Sequence, residues 1–122
     1  MNVLVVEDEA LVALFLEDTL DTLGYACCGI AASADEALGL AASQRPDLAL
    51  VDVGLRGSRD GIAVASELVD LGVAVVFMTG ASDSDTRRRA EAVRPRAILN
   101  KPCNENDIAR ALESARAWPA RP

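Results

Sequence analysis

Apolar positions along this chain follow two periods. Short unbroken runs occur at residues 3–6, 25–30, 48–51, 73–78 and 97–99. Continuous runs rich in Val and Ile suit strands buried on both faces, as in a parallel sheet. Between them, apolar residues recur every three to four positions, the spacing of a helix that rests one face on a core. Val12, Leu16, Leu20 and Leu23 form the first such stripe, and Gly24 stops it. Ser33 with Glu36 is a capping-box signature ahead of Ala37, Leu38 and Ala41. Asp60-Gly61 opens a third helix carrying Ile62, Ala65 and Val69, and residues 82–85 signal a fourth with Thr86, Ala90 and Val93. Asn104 caps a fifth helix carrying Ile108, Ala111, Leu112 and Ala115. Five strand–helix pairs in strict alternation predict an α/β fold, a doubly wound parallel sheet with helices on both faces. One domain is expected over residues 1–117, with a tail at 118–122 whose two prolines exclude helix.

Composition narrows the field. The chain has 122 residues, 51% hydrophobic and 25% charged, which is room and composition for a single globular domain. Its net charge of −7 speaks against nucleic acid as a partner, because phosphate backbones call for Lys and Arg. There is no histidine, so His-based triads and His-ligated zinc are excluded. No apolar stretch approaches the roughly 18 residues that span a bilayer, and no basic segment precedes an apolar one at the start, so neither membrane nor leader is expected and a cytoplasmic location is. Cys27, Cys28 and Cys103 have neither a disulfide framework nor zinc spacing and read as free thiols.

The candidate chemistry lies immediately after the apolar runs. Glu7 and Asp8 follow the first, Asp52 the third, Thr79 the fourth and, past Asn100, Lys101 the fifth. In open α/β sheets ligands bind outside the carboxyl ends of the strands, where the strand order reverses, so these residues should share one pocket. Singly, each has a plainer explanation. Asp52 reads as a turn residue, Glu7 and Asp8 as first-turn helix acids, Thr79 as structural and Lys101 as solvated. In this order, each at its own strand end, they point to a common site. Three clustered carboxylates repel one another unless a cation is held among them, and oxygen-only ligands select a hard ion, Mg²⁺ or Mn²⁺. A nearby hydroxyl and ammonium suit a phosphoryl group, so the set matches phosphoryl transfer onto a carboxylate.

The motifs Val3-Leu4-Val5-Val6-Glu7-Asp8-Glu9, Leu50-Val51-Asp52-Val53, Asp60-Gly61, Met78-Thr79-Gly80 and Lys101-Pro102 resemble those of response-regulator receiver domains of two-component signalling, over essentially the whole chain. The resemblance implies a flavodoxin-like (βα)₅ fold with strand order 2-1-3-4-5. It implies phosphorylation of Asp52 by a sensor histidine kinase or a phosphotransfer protein. It also implies Mg²⁺ held by Glu7, Asp8, Asp52 and the backbone carbonyl of Gly54, with Thr79 sensing the phosphoryl group and Lys101 pairing with it. Receivers catalyse their own phosphorylation and dephosphorylation but are signalling domains, so no conventional enzyme is implied.

Three features depart from the common family pattern. Arg56 stands where a proline is usual, in a loop between the third strand and third helix one residue longer than most. Ile98 replaces the customary aromatic, so coupling should run through Thr79, Gly80 and the fourth helix. Phe77-Met78-Thr79-Gly80 resembles a subgroup with Phe-x-Thr-Gly at the end of the fourth strand, which includes stand-alone receivers. No effector domain is read after the fifth helix, so the expected output is docking through the fourth helix, fifth strand and fifth helix. Arg87-Arg88-Arg89 there reads as a patch for an acidic partner or as a solvated face. A phosphate shuttle or sink and a phosphorylation-independent interaction module are the alternative readings. The sequence names no output partner and no oligomeric state.

Overall fold

The computed structural model describes residues 1–55, 60–80 and 84–117. Five strands and five helices alternate along them: β1 (Asn2–Val6), α1 (Ala10–Thr22), β2 (Ala26–Ala31), α2 (Ala34–Gln44), β3 (Leu48–Asp52), α3 (Gly61–Asp70), β4 (Ala74–Thr79), α4 (Ser84–Ala92), β5 (Ala97–Asn100) and α5 (Glu105–Ala117). All pairings are parallel, in the order β2-β1-β3-β4-β5. The expected fold class and strand order are both observed. Arg56, with the rest of residues 56–59, the helix signal at Ser82 and the tail at 118–122 lie outside the described residues.

The two-residue period of a strand explains why the apolar runs are unbroken. Val3, Val5, Leu48, Leu50, Val76 and Met78 pack with α1 and α5 residues such as Leu16, Leu20, Ile108 and Leu112. The intervening Leu4, Val6, Ala49, Val51, Val75 and Phe77 pack with Ala37 and Ala41 of α2, Val64 and Leu68 of α3, and Ala90 of α4. Both faces of the sheet are therefore core, and the inner strands β1, β3 and β4 are apolar along nearly their whole length, while the edge strands β2 and β5 are mostly half-buried. Adjacent Cys27 and Cys28 join opposite cores for the same reason, and all three cysteines are free. Burial raises the thiol pKa of each.

The caps match the sequence signals. Ser33 Oγ accepts from Glu36 N–H (3.2 Å), and Asp60 Oδ1 accepts from Ala63 N–H (2.9 Å). Asn104 Oδ1 accepts from Asp107 N–H (2.9 Å) while Asp107 Oδ2 accepts from Asn104 N–H (3.0 Å), a reciprocal box. Gly24 ends α1 at a positive φ of 85°. The α1 stripe is the expected one: Leu16 and Leu20 are buried, and half-buried Val12 and Leu23 pack against the same core. Ala13 and Thr19 are buried as well, while Leu11, Leu14 and Phe15, off the stripe, are exposed.

Candidate functional site

Four strand ends supply the site. Main-chain bonds carry the parallel pairing just past two of them. Glu7 N–H donates to Ala31 O (2.9 Å) and Lys101 N–H to Thr79 O (2.8 Å). The first seats Glu7 on the β1–β2 ladder, where only 1% of the residue is exposed. The second holds Lys101 beside the end of β4, followed by a cis peptide bond to Pro102. Asp52 and Thr79 close β3 and β4 as their last residues, each 5% exposed.

This brings the candidate residues together. One carboxylate oxygen from each of Glu7, Asp8 and Asp52 lies within 4.8 Å of the others. Lys101 Nζ is 3.2 Å from Asp52 Oδ1 and 3.7 Å from Glu7 Oε2. Gly54 meets Asp52 through its N–H, which donates to Oδ1 (3.1 Å). Asp52 thus does make the turn contact of its plainer reading, and also faces the ammonium. The helix-acid reading of Glu7 fails. Residue Glu9 occupies the N-cap of α1, without a side-chain cap bond, and Glu7 is buried at a strand end.

Electrostatics mark Glu7 as the strained member. Burial, then the charge of Asp52, raise its carboxyl from the usual range to about 7, against the opposing pull of Lys101. Both Glu7 oxygens are buried and, among the described residues, neither has a hydrogen-bond partner of good geometry. Burial alone would lower the Lys101 ammonium, but Asp52 and Glu7 outweigh it and hold its pKa above the ordinary value. Among the described residues, three acids against one adjacent base, with two orphaned buried oxygens, fit a small hard cation: the clustered donors are all carboxylate oxygens.

The site opens into a cleft of about 540 Å³, lined among others by Asp52, Gly54, Asp60, Thr79, Arg89 and Lys101. A cleft of about 710 Å³ along α1 and the start of β2 contains none of the strand-end residues. The cleft at the strand ends brings in two side chains that sequence reasoning assigned elsewhere. Asp60 reads as a helix opener within the Asp60-Gly61 motif, and Arg89 as part of a basic run on the fourth helix. Arg89 Nη2 lies 3.0 Å from Asp60 Oδ2, bridging α4 to the start of α3 along the cleft. Its neighbours separate from it: Arg87 pairs with Glu91 and Arg88 with Asp85 along the helix. The stripe Thr86, Ala90 and Val93 places Arg89 on the side of the helix toward the sheet, but nothing in the run Arg87-Arg88-Arg89 names the residue it would reach. Ile98 is half-buried against the core on the α2–α4 side of the sheet.

Gly61 completes the geometry. Its N–H donates to Val53 O (3.3 Å), and a Cβ placed there would stand 1.9 Å from Asp52 O. The start of α3 can lie against the backbone of Asp52 only with glycine at this position.

Comparison with known proteins agrees with this geometry. The family model described as response regulator receiver domain matches residues 3–113. The transcriptional regulatory protein PdtaR of Mycobacterium tuberculosis is 39% identical over 115 residues, covering 93% of this chain and 56% of that protein. The sporulation initiation phosphotransferase F of Bacillus subtilis is 26% identical, covering 92% of this chain and 90% of that protein. The signal receiver domain of a modulated diguanylate cyclase from Desulfovibrio desulfuricans superposes with a TM-score of 0.88 at 37% identity, covering 93% of this chain and 91% of that one. The chain spans about half the length of PdtaR and of two further regulators, from Methylorubrum extorquens (43%) and Pseudomonas aeruginosa (47%). Among the described residues no helix is long and apolar enough to cross a membrane. With its fold, its strand-end acids and its family match over residues 3–113 in agreement, the chain belongs to the response regulator receiver domains.

Proposed function

We propose that Asp52 accepts a phosphoryl group from a histidine of a sensor kinase or phosphotransfer protein and that the modified domain signals by changed docking to another protein. The observation that carries this reading is the convergence of Glu7, Asp8 and Asp52 within 4.8 Å, with Lys101 3.2 Å from Asp52. A carboxylate oxygen of Asp52 attacks the phosphorus, the phosphorus–nitrogen bond of the donor breaks, and the imidazole leaves with the electron pair and takes up a proton. The Gly54 N–H and Lys101 fix the Asp52 carboxylate before attack, which removes rotational freedom from the nucleophile. Lys101 then neutralises charge on the transferred group, and the Thr79 hydroxyl donates to one of its oxygens. Glu7, Asp8, Asp52 and the carbonyl of Gly54 would hold Mg²⁺, with Mn²⁺ as a substitute, and the ion would supply Lewis-acid stabilisation of the phosphoryl oxygens. Hydrolysis of the acyl phosphate at the same site resets the domain. We place this chemistry in the cytoplasm, where a kinase presents its phosphohistidine.

The test is intact mass after incubation with Mg²⁺ and acetyl phosphate. One phosphoryl adduct that requires the metal and vanishes in Asp52→Asn is expected. An adduct on the Asp52→Asn protein overturns the site, and no adduct with either acetyl phosphate or a kinase overturns the reading. The likeness to phosphotransferase F over 90% of that protein favours a second reading, in which passing the phosphoryl group onward is itself the output. Rapid return of the label from Asp52 to a phosphotransfer histidine, with little change in the domain, would distinguish it.

A further inference from the structure

Arg89, the second cation of the cleft among the described residues, has no part in the transfer chemistry just described. Arg89 sits in the middle of α4, and Thr86, three residues earlier and so on the same side of the helix, lines the same cleft. The opposite rows are spent locally, Arg87 on Glu91 and Arg88 on Asp85. The apolar anchorage of α4 is slight: Ala90 is its one buried residue, with half-buried Val93 just beyond its end. What Arg89 grips is the residue beside the phosphoacceptor's backbone. Asp60 precedes Gly61, and Gly61 packs directly on Asp52 O. The Arg89–Asp60 pair therefore lines the same cleft as Asp52.

Given phosphoryl transfer to Asp52, on which this rests, we infer that Arg89 is a switch residue that exchanges Asp60 for the new phosphoryl group and draws α4 toward the strand ends. The exchange follows from charge and shape. Asp60 offers Arg89 one negative charge, and its other oxygen is already engaged by Ala63 N–H. A phosphoryl group offers roughly −1.5 to −2 and three acceptor oxygens, the geometry a guanidinium fork matches best. Arg89 and Asp60 are partly solvated, with side chains 58% and 38% exposed, so their contact is weak enough to be traded. Released from the α3 cap, Arg89 carries its helix with it, because among the described residues little apolar contact resists the movement. This supplies a route from Asp52 to α4 that needs no aromatic ring at Ile98.

Hydrogen exchange over residues 84–92, read on the phosphorylated fraction identified by mass, tests the exchange of partners. In the parent protein, phosphorylation should slow exchange of α4 about fivefold or more. Asp60→Asn keeps an oxygen to cap α3 but removes the charge. It should loosen α4 in the unmodified protein and leave the slowing on phosphorylation intact. Arg89→Gln should loosen α4 and abolish the slowing. Slowing retained in Arg89→Gln, or lost in Asp60→Asn, would overturn the inference, since a purely structural ion pair makes the two variants behave alike. An Arg89→Gln protein that takes no adduct overturns it too, by placing Arg89 in the transfer step. Absence of an adduct on the parent protein is a separate result, which removes the phosphoacceptor reading and this inference together.

Discussion

Removing the Lys101 ammonium would leave Asp52 and Glu7 facing each other without their shared cation, 3.2 and 3.7 Å from where it stood. Lys101→Ala is expected to accept a phosphoryl group still, because the nucleophile and the acids remain. The difference between the two states should shrink by the roughly 1.5–3 kcal/mol of a charge-assisted contact, so the equilibrium constant toward the docking-competent form of the phosphorylated protein falls about tenfold or more. Partner binding by the modified protein would measure this, and an undiminished response would remove Lys101 from the switch. Asp60 makes a pH test available. Burial raises its carboxyl, but the Ala63 N–H and the Arg89 guanidinium outweigh that and hold the pKa below its ordinary 3.8. A carboxyl lowered on folding contributes stability above its unfolded pKa and loses it as pH falls through the folded value. The stability gap between the parent and Asp60→Asn, from urea midpoints, should be small and constant near neutrality and close below about pH 4. A gap that persists at pH 2 would show that the charge of Asp60 is not its source.

At the scale of elements, two glycines separate conformational need from habit. Gly61 begins α3 where a Cβ would stand 1.9 Å from Asp52 O, a backbone atom that cannot step aside. Gly61→Ala should cost roughly 1–3 kcal/mol or more by overpacking, and it should slow adduct formation because the strain falls on Asp52 itself. Gly39 lies within α2, where an added Cβ meets nothing within 4 Å. Gly39→Ala should therefore gain about 1 kcal/mol in helix propensity and leave adduct formation unchanged. Thermal midpoints and intact mass check both. The helix starts were legible because capping is local. Ser33, Asp60 and Asn104 bond to residues three positions ahead, a distance any sequence window contains. The core-facing stripe of α1 was legible as well, since Val12, Leu16, Leu20 and Leu23 all pack on one core. That Leu11, Leu14 and Phe15, equally apolar, stay exposed was settled only by docking on the sheet.

For the whole molecule, a sheet with core on both faces and helices of unequal anchorage implies unequal local stability. Amides of β1 and β3, at the centre of the strand order, should exchange only by global unfolding. Those of α4, which buries Ala90 alone, should exchange at least tenfold faster. Equal protection across these segments would contradict the packing described. Much of this architecture was legible beforehand. A parallel sheet buried on two faces requires unbroken apolar runs, and the alternation of runs with helical stripes leaves few topologies. The site acids were legible too, because polar residues ending such runs have one place to go, the carboxyl edge of the sheet. Asp52 continues the phase of Leu48 and Leu50, and Glu7 that of Val3 and Val5, so both carboxylates follow from the two-residue period. Sequence alone therefore determined the fold class, the strand-end residues and the family they resemble, since these depend on periodicity and order along the chain. Tertiary structure alone decided that Glu7 is buried with orphaned oxygens, that Gly61 must lack a side chain, and that Arg89 of three consecutive arginines reaches Asp60. Each of these depends on distance between residues remote in sequence, 29 positions apart for Arg89 and Asp60, and that distance exists only once the helices have docked on the sheet.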